Sequence, residues 1–254
     1  MSEYPTKIKT GKRVNNLYDP KSKSPFKLSR TRLEDFMNCP RCFYLDRRLG
    51  IEEPSGPQFN LNIAVDALLK KEFDIYRAKR EPHPLMVKYN INAVPMQHPE
   101  LDTWRNAFKG IQYLHQPTNF LLFGGIDDVW QSLSGEIFIV DYKATSKEGD
   151  VTLDDEWKDA YKRQMEIYQW LFRKNNFNVS RTGYFVYCNG LKSENGFFDH
   201  LKFKTVILPY AGNDSWVEPA LFKACECLKS DQLPDCTPQC GLCLYRKVSK
   251  EAES

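Results

Sequence analysis

The stretch "IVDYKATSK", residues 139–147, places an aspartate and a lysine two residues apart, directly after an apolar run. Such a run is typical of a buried strand, and buried strands rarely contain charged side chains. Because side chains alternate along a strand, Asp141 and Lys143 would face one side and Tyr142 the other. On an exposed strand the two charges would form a simple surface pair. The flanking runs "IFIV" and "NFLLFGGID" are too apolar for that, which favours a functional site.

The segment before this strand supplies a second carboxylate. The runs "NFLLFGGIDDVWQ" and "GEIFIVDYKA" are joined by residues 132–135, a pattern that predicts a β-hairpin. In that hairpin Asp127 lies across from Asp141, and two converging carboxylates form the oxygen-rich site that magnesium or manganese prefers. A lysine beside it, Lys143, can hold an attacking water and neutralise charge on a phosphate. The pattern is suited to phosphodiester hydrolysis.

The surrounding pattern predicts a single α/β domain with a mixed central sheet flanked by helices. Apolar periodicity predicts helices over residues 29–50, 59–80, 101–115, 152–176 and 213–230, and strands over 181–190 and 200–210. A cysteine-bearing loop is expected to follow. The expected organisation is a basic flexible leader over 1–27, the domain over 28–246 and a tail over 247–254.

The helix predicted over 152–176 carries two polar side chains of interest. Gln164 and Tyr168 are four residues apart and share one helix face. On a face that packs against the sheet they would orient the lysine or grip a phosphate. Otherwise Tyr168 is a core residue and Gln164 a surface residue.

Together these motifs resemble a known family. In order and spacing, "GGID" (124–127), "VDYK" (140–143) and "QMEIY" (164–168) are similar to the PD-(D/E)XK nuclease superfamily, in particular its RecB-like branch. That branch includes the iron–sulfur nucleases of CRISPR adaptation and AddB-type helicase–nucleases. The segment "LSRTRLEDFMNCPRCFYL" (28–45) and the C-terminal "CGLC" (240–243) also resemble this branch.

The resemblance implies a restriction-endonuclease-like core and specific roles. Asp127, Asp141 and the Tyr142 carbonyl would bind Mg²⁺ or Mn²⁺, Lys143 would be the catalytic lysine, and Gln164 and Tyr168 would support the site. The family often has a histidine ligand four residues after a glycine, where this chain has Asn62 and Asp66. Asp66 is therefore either a metal ligand or a solvated helix acid, with Glu72 as a weaker alternative.

Seven of the eight cysteines lie in two clusters near the chain ends, which suggests metal ligation. By resemblance, Cys39, Cys236, Cys240 and Cys243 would hold a [4Fe-4S] cluster or zinc and pack the N- and C-terminal segments together. The family usually places its last cysteine after the C-x-x-C pair, where this chain has none; Cys236 stands in for it, and Cys42 is a rival ligand. Without a metal, these residues would pack as small buried thiols.

The expected activity is a Mg²⁺- or Mn²⁺-dependent DNA nuclease, preferentially an exonuclease. The alternatives are a non-catalytic nucleic-acid-binding or assembly subunit and a nuclease acting on RNA. No apolar run is long enough to span a membrane and no secretory signal is present, so a cytoplasmic location is expected. Partners from DNA repair, recombination or CRISPR adaptation are implied by the resemblance. The residues expected to contact DNA phosphates are Arg30, Arg32, Arg41, Lys162 and Arg163; the basic leader would either join them or be a solvated tail.

Overall fold

The computed structural model of the protein describes residues 12–54, 56 and 58–253. The helices are α1 (Arg30–Asn38), α2 (Pro40–Arg47), α3 (Asn60–Lys79), α4 (Pro84–Lys88), α5 (Leu101–Arg105), α6 (Asp159–Lys174), α7 (Val217–Lys229) and α8 (Gly241–Glu253). The strands are β1 (Phe26–Ser29), β2 (Val94–Pro95), β3 (Ile111–His115), β4 (Phe120–Gly124), β5 (Asp128–Gln131), β6 (Ile137–Thr145), β7 (Thr182–Gly190) and β8 (Phe203–Ala211). This confirms the predicted α/β class.

Among these residues the strands form two sheets, where the sequence predicted one. The larger sheet has the order β2-β5-β6-β7-β8, and the smaller has the order β1-β4-β3. Strands β6 and β7 are parallel and joined through α6, whereas the other neighbours in the larger sheet are antiparallel. Helices α6 and α3 cover opposite faces of the larger sheet, each with its own buried apolar cluster. Its central strand β6 is therefore buried on both sides.

The predicted strand over "NFLLFGGIDDVWQ" is broken in the middle. Strand β4 belongs to the smaller sheet and β5 to the larger, with residues 125–127 between them. Tyr168 packs closely against Gly124 at the end of β4, where an added Cβ would lie 2.6 Å from Cε1 of the tyrosine. The break places Asp127 at the junction of the two sheets, immediately before β5.

The single helix predicted over 101–115 was also wrong. The segment contains the short helix α5 and then strand β3, which pairs antiparallel with β4. Gly110 lies between them with φ of +61°, and an added Cβ there would collide with the carbonyl of Gly124. A glycine in the left-handed region ends the helical pattern and starts the strand.

The apolar residues of helix α3, which predict a buried stripe, are only partly buried. Leu69 and Phe73 pack against the sheet, but Leu61 and Leu68 are exposed. The buried face continues to Arg77, whose guanidinium binds buried Asp128.

The two ends of the domain pack together as predicted. Pro40 separates α1 from α2, and the expected cysteine-bearing loop extends to Cys240, after which the chain forms helix α8. In the described part of the leader, the Arg13 amide donates to the Gly50 carbonyl (2.7 Å) and Tyr18 is buried. These leader residues therefore pack on the domain. In the part of the chain that the structure describes, no helix is long and apolar enough to cross a membrane.

Candidate active site

The hairpin of β5 and β6 brings two carboxylates together. The hairpin turns at residues 132–135 as predicted, and the register pairs Asp128 with Val140. The Tyr142 amide donates a hydrogen bond to Oδ2 of Asp127 (2.9 Å). Asp127 thus lies beside the part of β6 that carries Asp141. The Tyr142 ring extends to the opposite face, where its hydroxyl donates to Asp128.

Gln164 connects the aspartate of the central strand to the lysine. Its Nε2 donates to Oδ1 of Asp141 (2.8 Å), and its Oε1 accepts from Nζ of Lys143 (3.5 Å). Lys143 also forms an ion pair with Oδ2 of Asp141. Gln164 is half-buried against the sheet, so the interpretation of it as a surface residue is excluded.

Tyr168, one turn further along α6, is buried and supports the junction between the sheets. Its hydroxyl donates to the carbonyl of Gly125, and its ring fills the space beside Gly124. Both contacts fix the short segment that ends in Asp127. Tyr168 therefore positions the first carboxylate, while Gln164 positions the second.

The two carboxylates differ in their proton affinity. Burial alone would raise the pKa of Asp127, but the ammonium groups of Lys70 and Lys143 and the Tyr142 amide hold it below its usual range. Burial raises the pKa of Asp141 to about 6, with the Asp127 charge adding to the rise and Lys143 opposing it. Burial would lower the pKa of Lys143, but Asp141 and Asp127 raise it above its usual value. The lysine is therefore protonated at neutral pH.

A second lysine lies on the other side of Asp127, on helix α3. Nζ of Lys70 is 2.8 Å from Oδ2 of Asp66 and 3.1 Å from Oδ1 of Asp127. The structure thus places Asp66 near Asp127, with the Lys70 ammonium between them. Glu72 is directed elsewhere, because it pairs with His83 at 2.8 Å. Sequence reasoning missed Lys70, although its position one turn after Asp66 was a usable signal.

The neighbouring Asp128 has a structural role. It is fully buried, pairs with Arg77 and Arg105, and accepts the Tyr142 hydroxyl. Arg105 also donates to the carbonyl of Asp127 (3.0 Å). This network ties α3, α5 and the hairpin together around the candidate site, and it explains why two consecutive aspartates differ in role.

A cavity of about 230 Å³ opens beside Asp127. Three of its lining residues are basic, namely Arg30, Lys70 and Arg105. Arg30 also lies close enough to Asp141 and Tyr168 to lower the pKa of both groups, against the larger effect of burial. The cavity combines a carboxylate floor with positive walls, which suits a phosphate approaching a bound cation.

The other residues predicted to contact DNA make contacts within the protein. Arg32 pairs with Asp35 and Asp46, and Arg163 forms a two-pronged pair with Glu34. The remaining two are occupied as well: Arg41 donates to the Pro234 carbonyl (2.8 Å), and Lys162 pairs with Asp159 (2.9 Å). The structure brings only Arg30 of the predicted five to the cavity.

Four cysteines meet where the two ends of the domain pack. The Sγ atom of Cys42 lies 3.6 Å from Sγ of Cys240 and 3.5 Å from Sγ of Cys243, and Sγ of Cys39 lies 3.8 Å from Sγ of Cys243. Each pair starts a helix: Cys39 is the N-cap of α2, and Cys240 directly precedes α8. The positive helix ends favour thiolates. Although burial opposes it, hydrogen bonds from the Cys42 and Thr237 amides lower the pKa of Cys39 to about 7, whereas burial raises the pKa of Cys42 and Cys243.

Cys236 is not part of this cluster. It is exposed in the loop before α8, whereas Cys42 occupies the fourth corner. The reason is helical geometry, since residues at positions i and i+3 of a helix N-terminus share a face. Two such C-x-x-C pairs converge, and the predicted set is corrected to Cys39, Cys42, Cys240 and Cys243. Cys188 and Cys225 are buried elsewhere, and Cys227 is half-buried.

The two candidate metal sites differ in the ligands that they offer. Among the described residues, the cysteines are the only group of three or more His, Cys, Asp or Glu side chains whose ligand atoms all lie within 4.8 Å of one another. The carboxylate site is more open, with Lys70 between Asp66 and Asp127. Oδ2 of Asp141 is buried and is in close contact with the Lys143 ammonium. A hard cation bound by this oxygen would compete with Lys143 for it.

Comparison with known proteins agrees with this geometry. No curated protein matches the chain in sequence. The solved structure described as "Crystal structure of SSO0001" is similar at 16% identity with a TM-score of 0.40, over 91% of this chain and 87% of that chain. The family model of the PD-(D/E)XK nuclease superfamily matches residues 64–248, which include both strands of the hairpin and helix α6. This match covers well over half of the chain. The chain therefore belongs to the PD-(D/E)XK nuclease superfamily.

Proposed function

We propose that the protein is a Mg²⁺- or Mn²⁺-dependent DNA nuclease of the RecB-like branch that acts as an exonuclease. The observation that carries the proposal is the connected set of Asp127, Asp141, Lys143 and Gln164 at the junction of the two sheets. A chain that had kept the fold only for binding would have no need of a buried carboxylate–lysine pair. Such a pair disfavours folding unless it is fully compensated.

The carboxylates Asp127 and Asp141 would hold the cation, with the Tyr142 carbonyl as a further oxygen ligand. When bound there, Mg²⁺ or Mn²⁺ lowers the pKa of a water molecule and neutralises charge on the phosphate. Gln164 fixes the Asp141 carboxylate through Oδ1, and Oδ2 faces the Lys143 ammonium. The protein thereby presents an oriented oxygen before any substrate arrives, which reduces reorganisation during the reaction.

Lys143 would act as a cation and hydrogen-bond donor. Its raised pKa, caused by Asp141 and Asp127 against the effect of burial, keeps its proton in place. A protonated ammonium cannot accept a proton from water, but it can orient that water and stabilise negative charge on the phosphate. Arg30 in the adjacent cavity would bind a neighbouring phosphate oxygen.

A cleavage assay tests the proposal. Purified protein is incubated with Mg²⁺, Mn²⁺ or EDTA and one of four substrates. Three are 5′-labelled, namely single-stranded DNA, blunt duplex DNA and RNA of matched sequence, and the fourth is unlabelled closed circular DNA. We expect metal-dependent cleavage of linear DNA, with mononucleotides or short oligonucleotides as products and intact circles. Cleavage of circles would indicate endonuclease action, and preferred cleavage of RNA would indicate an RNA nuclease. Binding of DNA without cleavage under any metal condition would contradict the catalytic proposal and favour an assembly subunit.

We also propose that the cysteine cluster holds one zinc ion. Zinc–sulfur bonds of about 2.3 Å in a tetrahedron place the sulfurs about 3.8 Å apart. The three separations of 3.5–3.8 Å agree with that value. The four thiolates of a [4Fe-4S] cluster bind four different irons and therefore lie further apart. The sulfur spacing favours zinc over the iron–sulfur cluster implied by the resemblance.

Replacing Lys70 with methionine is expected to increase Mn²⁺ affinity about tenfold. The Lys70 ammonium sits between Asp66 and Asp127 and competes with a bound cation for their negative charge. Isothermal titration calorimetry with Mn²⁺ would measure the change, and Lys71→Met, at the exposed neighbouring position, is the matched control. Weaker Mn²⁺ binding by Lys70→Met would mean that Lys70 supports the ligands instead of competing.

The raised pKa of Asp141 predicts a pH dependence of stability. Since the folded-state pKa, about 6, exceeds the ordinary value of 3.8, the folded protein binds this proton more tightly than the unfolded chain. The resulting stabilisation is present below about pH 4 and is lost as the pH rises through 6. In EDTA, the melting temperature of Asp141→Asn minus that of wild type should therefore increase from pH 4.5 to pH 7.5, by about 2–4 °C. A constant difference would contradict the assignment.

A further inference from the structure

One tryptophan of the described chain is exposed, and it lies close to the candidate catalytic lysine. Trp157 is 58% exposed, whereas Trp104, Trp130 and Trp170 are buried and Trp216 is half-buried. Trp157 precedes helix α6, in the segment that leads into Gln164. Its indole offers a large, rigid apolar face on which a planar ligand could stack.

A buried cation, the Lys158 ammonium, lies against one face of the Trp157 ring. Nζ of Lys158 lies 5.0 Å from the centre of the Trp157 ring and 5.6 Å from that of Tyr187. The Lys158 side chain is buried and anchored by Asp155 at 2.8 Å. The ring therefore has a fixed support on the protein side, and its exposed area is available to a partner.

A continuous line of contacts connects this ring to the catalytic centre. The rings of Trp157 and Tyr161 are in edge-on contact, with centroids 5.5 Å apart. Nζ of Lys143 lies 4.5 Å from the centre of the Tyr161 ring. A phosphate held at Lys143 would thus have its flanking nucleotide over Tyr161 and Trp157.

Basic side chains accompany the two rings. Lys147, which is partly exposed, lies 3.1 Å from Asp155, and the same carboxylate is neutralised by Lys158. The surface next to Trp157 therefore has no uncompensated acid at position 155. Aromatic rings beside basic groups are the combination that binds single-stranded nucleic acid, because bases stack on the rings and phosphates contact the cations.

We propose that Trp157, with Tyr161 beneath its edge, is a stacking platform for an unpaired base next to the scissile phosphate. The inference rests on the proposed nuclease function and adds the substrate class, a DNA strand that is single-stranded at the site. A base within a duplex is covered by its neighbours and presents no free face to Trp157. A duplex end must therefore fray before it enters the site.

Binding of short oligonucleotides in EDTA, where no cleavage occurs, tests the platform. The probes are a fluorescein-labelled 15-nucleotide thymidylate strand, the same backbone with abasic positions, and a blunt duplex of equal length. Trp157→Ala should bind the thymidylate strand about 10-fold more weakly, and Trp157→Phe should stay within about 3-fold of wild type. Neither variant should change binding of the abasic strand or of the duplex.

Leu133→Ala is the surface control, because Leu133 is 91% exposed at the turn of the hairpin, away from Asp141. Equal binding of thymidylate by wild type and Trp157→Ala overturns the platform, and so does an equal loss on the abasic strand. If wild type still cleaves DNA in these cases, the nuclease proposal stands alone. A wild type that neither binds nor cleaves DNA overturns both proposals. Equal melting temperatures of the variants exclude misfolding as the cause of a loss.

Discussion

Asp141→Asn is expected to reduce metal-dependent DNA cleavage by about 10³-fold or more. The change keeps the hydrogen bond from Gln164 to Oδ1 but replaces the buried, negatively charged Oδ2 with an amide nitrogen, which cannot bind a cation. It also removes the negative partner of Lys143. Initial cleavage rates at saturating Mn²⁺ and pH 7.5 measure the loss, and calorimetry of Mn²⁺ binding should detect weaker affinity in the same variant.

The matched control for this variant is Asp231→Asn. The Asp231 side chain is 92% exposed and lies 3.4 Å from Arg48, so the same chemical change there should leave cleavage unaffected. Lys143→Ala should lose activity to a similar degree but bind Mn²⁺ at least as tightly, because it removes a competing cation. Full activity in Asp141→Asn would show that cleavage in the preparation comes from another site or another protein.

Removal of one cluster cysteine is expected to release the metal and to destabilise the fold by several kcal/mol. Structural zinc in small peptides contributes about 10–16 kcal/mol of apparent binding free energy. The loss of stability here should be smaller, because the core of the domain also stabilises the fold. Cys42→Ser breaks a corner that contacts both Cys240 and Cys243. Elemental analysis should find about one zinc per chain in wild type and little in the variant, together with a lower melting temperature.

Cys236→Ser supplies the control within the same segment, because Cys236 is exposed and outside the cluster. It should keep the full metal content and the wild-type melting temperature. Anaerobic purification with a visible spectrum decides which metal is bound. A colourless protein with zinc supports the single-ion geometry, whereas a brown protein with iron and sulfide would contradict it and agree with the family resemblance.

The central part of the candidate site was predictable because strand and helix periodicity determine which residues share a face. Alternation placed Asp141 and Lys143 together, and the four-residue spacing of Gln164 and Tyr168 placed both on one helix face. The contacts of Gln164 with Asp141 and Lys143 are consistent with that reasoning. Their catalytic roles remain predictions that the variants above test.

Other features depended on tertiary contacts that periodicity does not contain. At the division between β4 and β5, Tyr168 packs against Gly124, a contact between residues distant in sequence. On the buried side of α3, Arg77 pairs with Asp128. In both cases a polar or steric contact lies outside the apolar pattern.

The cysteine set could have been corrected from the sequence by local geometry. Cys39 and Cys42 have the same C-x-x-C spacing as Cys240 and Cys243, and each pair lies at a helix start. The family resemblance favoured Cys236 as the fourth ligand, whereas the matching spacing of the two pairs favours Cys42. The contacts of the arginines could not be predicted in this way. Nothing in the sequence distinguishes an arginine that binds DNA from one such as Arg163 that binds Glu34.

The separation of the two cysteine pairs along the chain has a consequence for biosynthesis. Cys42 and Cys240 meet in space but are 198 positions apart. At about 5–20 residues per second, the ribosome needs about 10–40 s to make the intervening chain. During that time Cys39 and Cys42 have no partners and are open to oxidation, so the nascent protein depends on a reducing environment until α8 emerges.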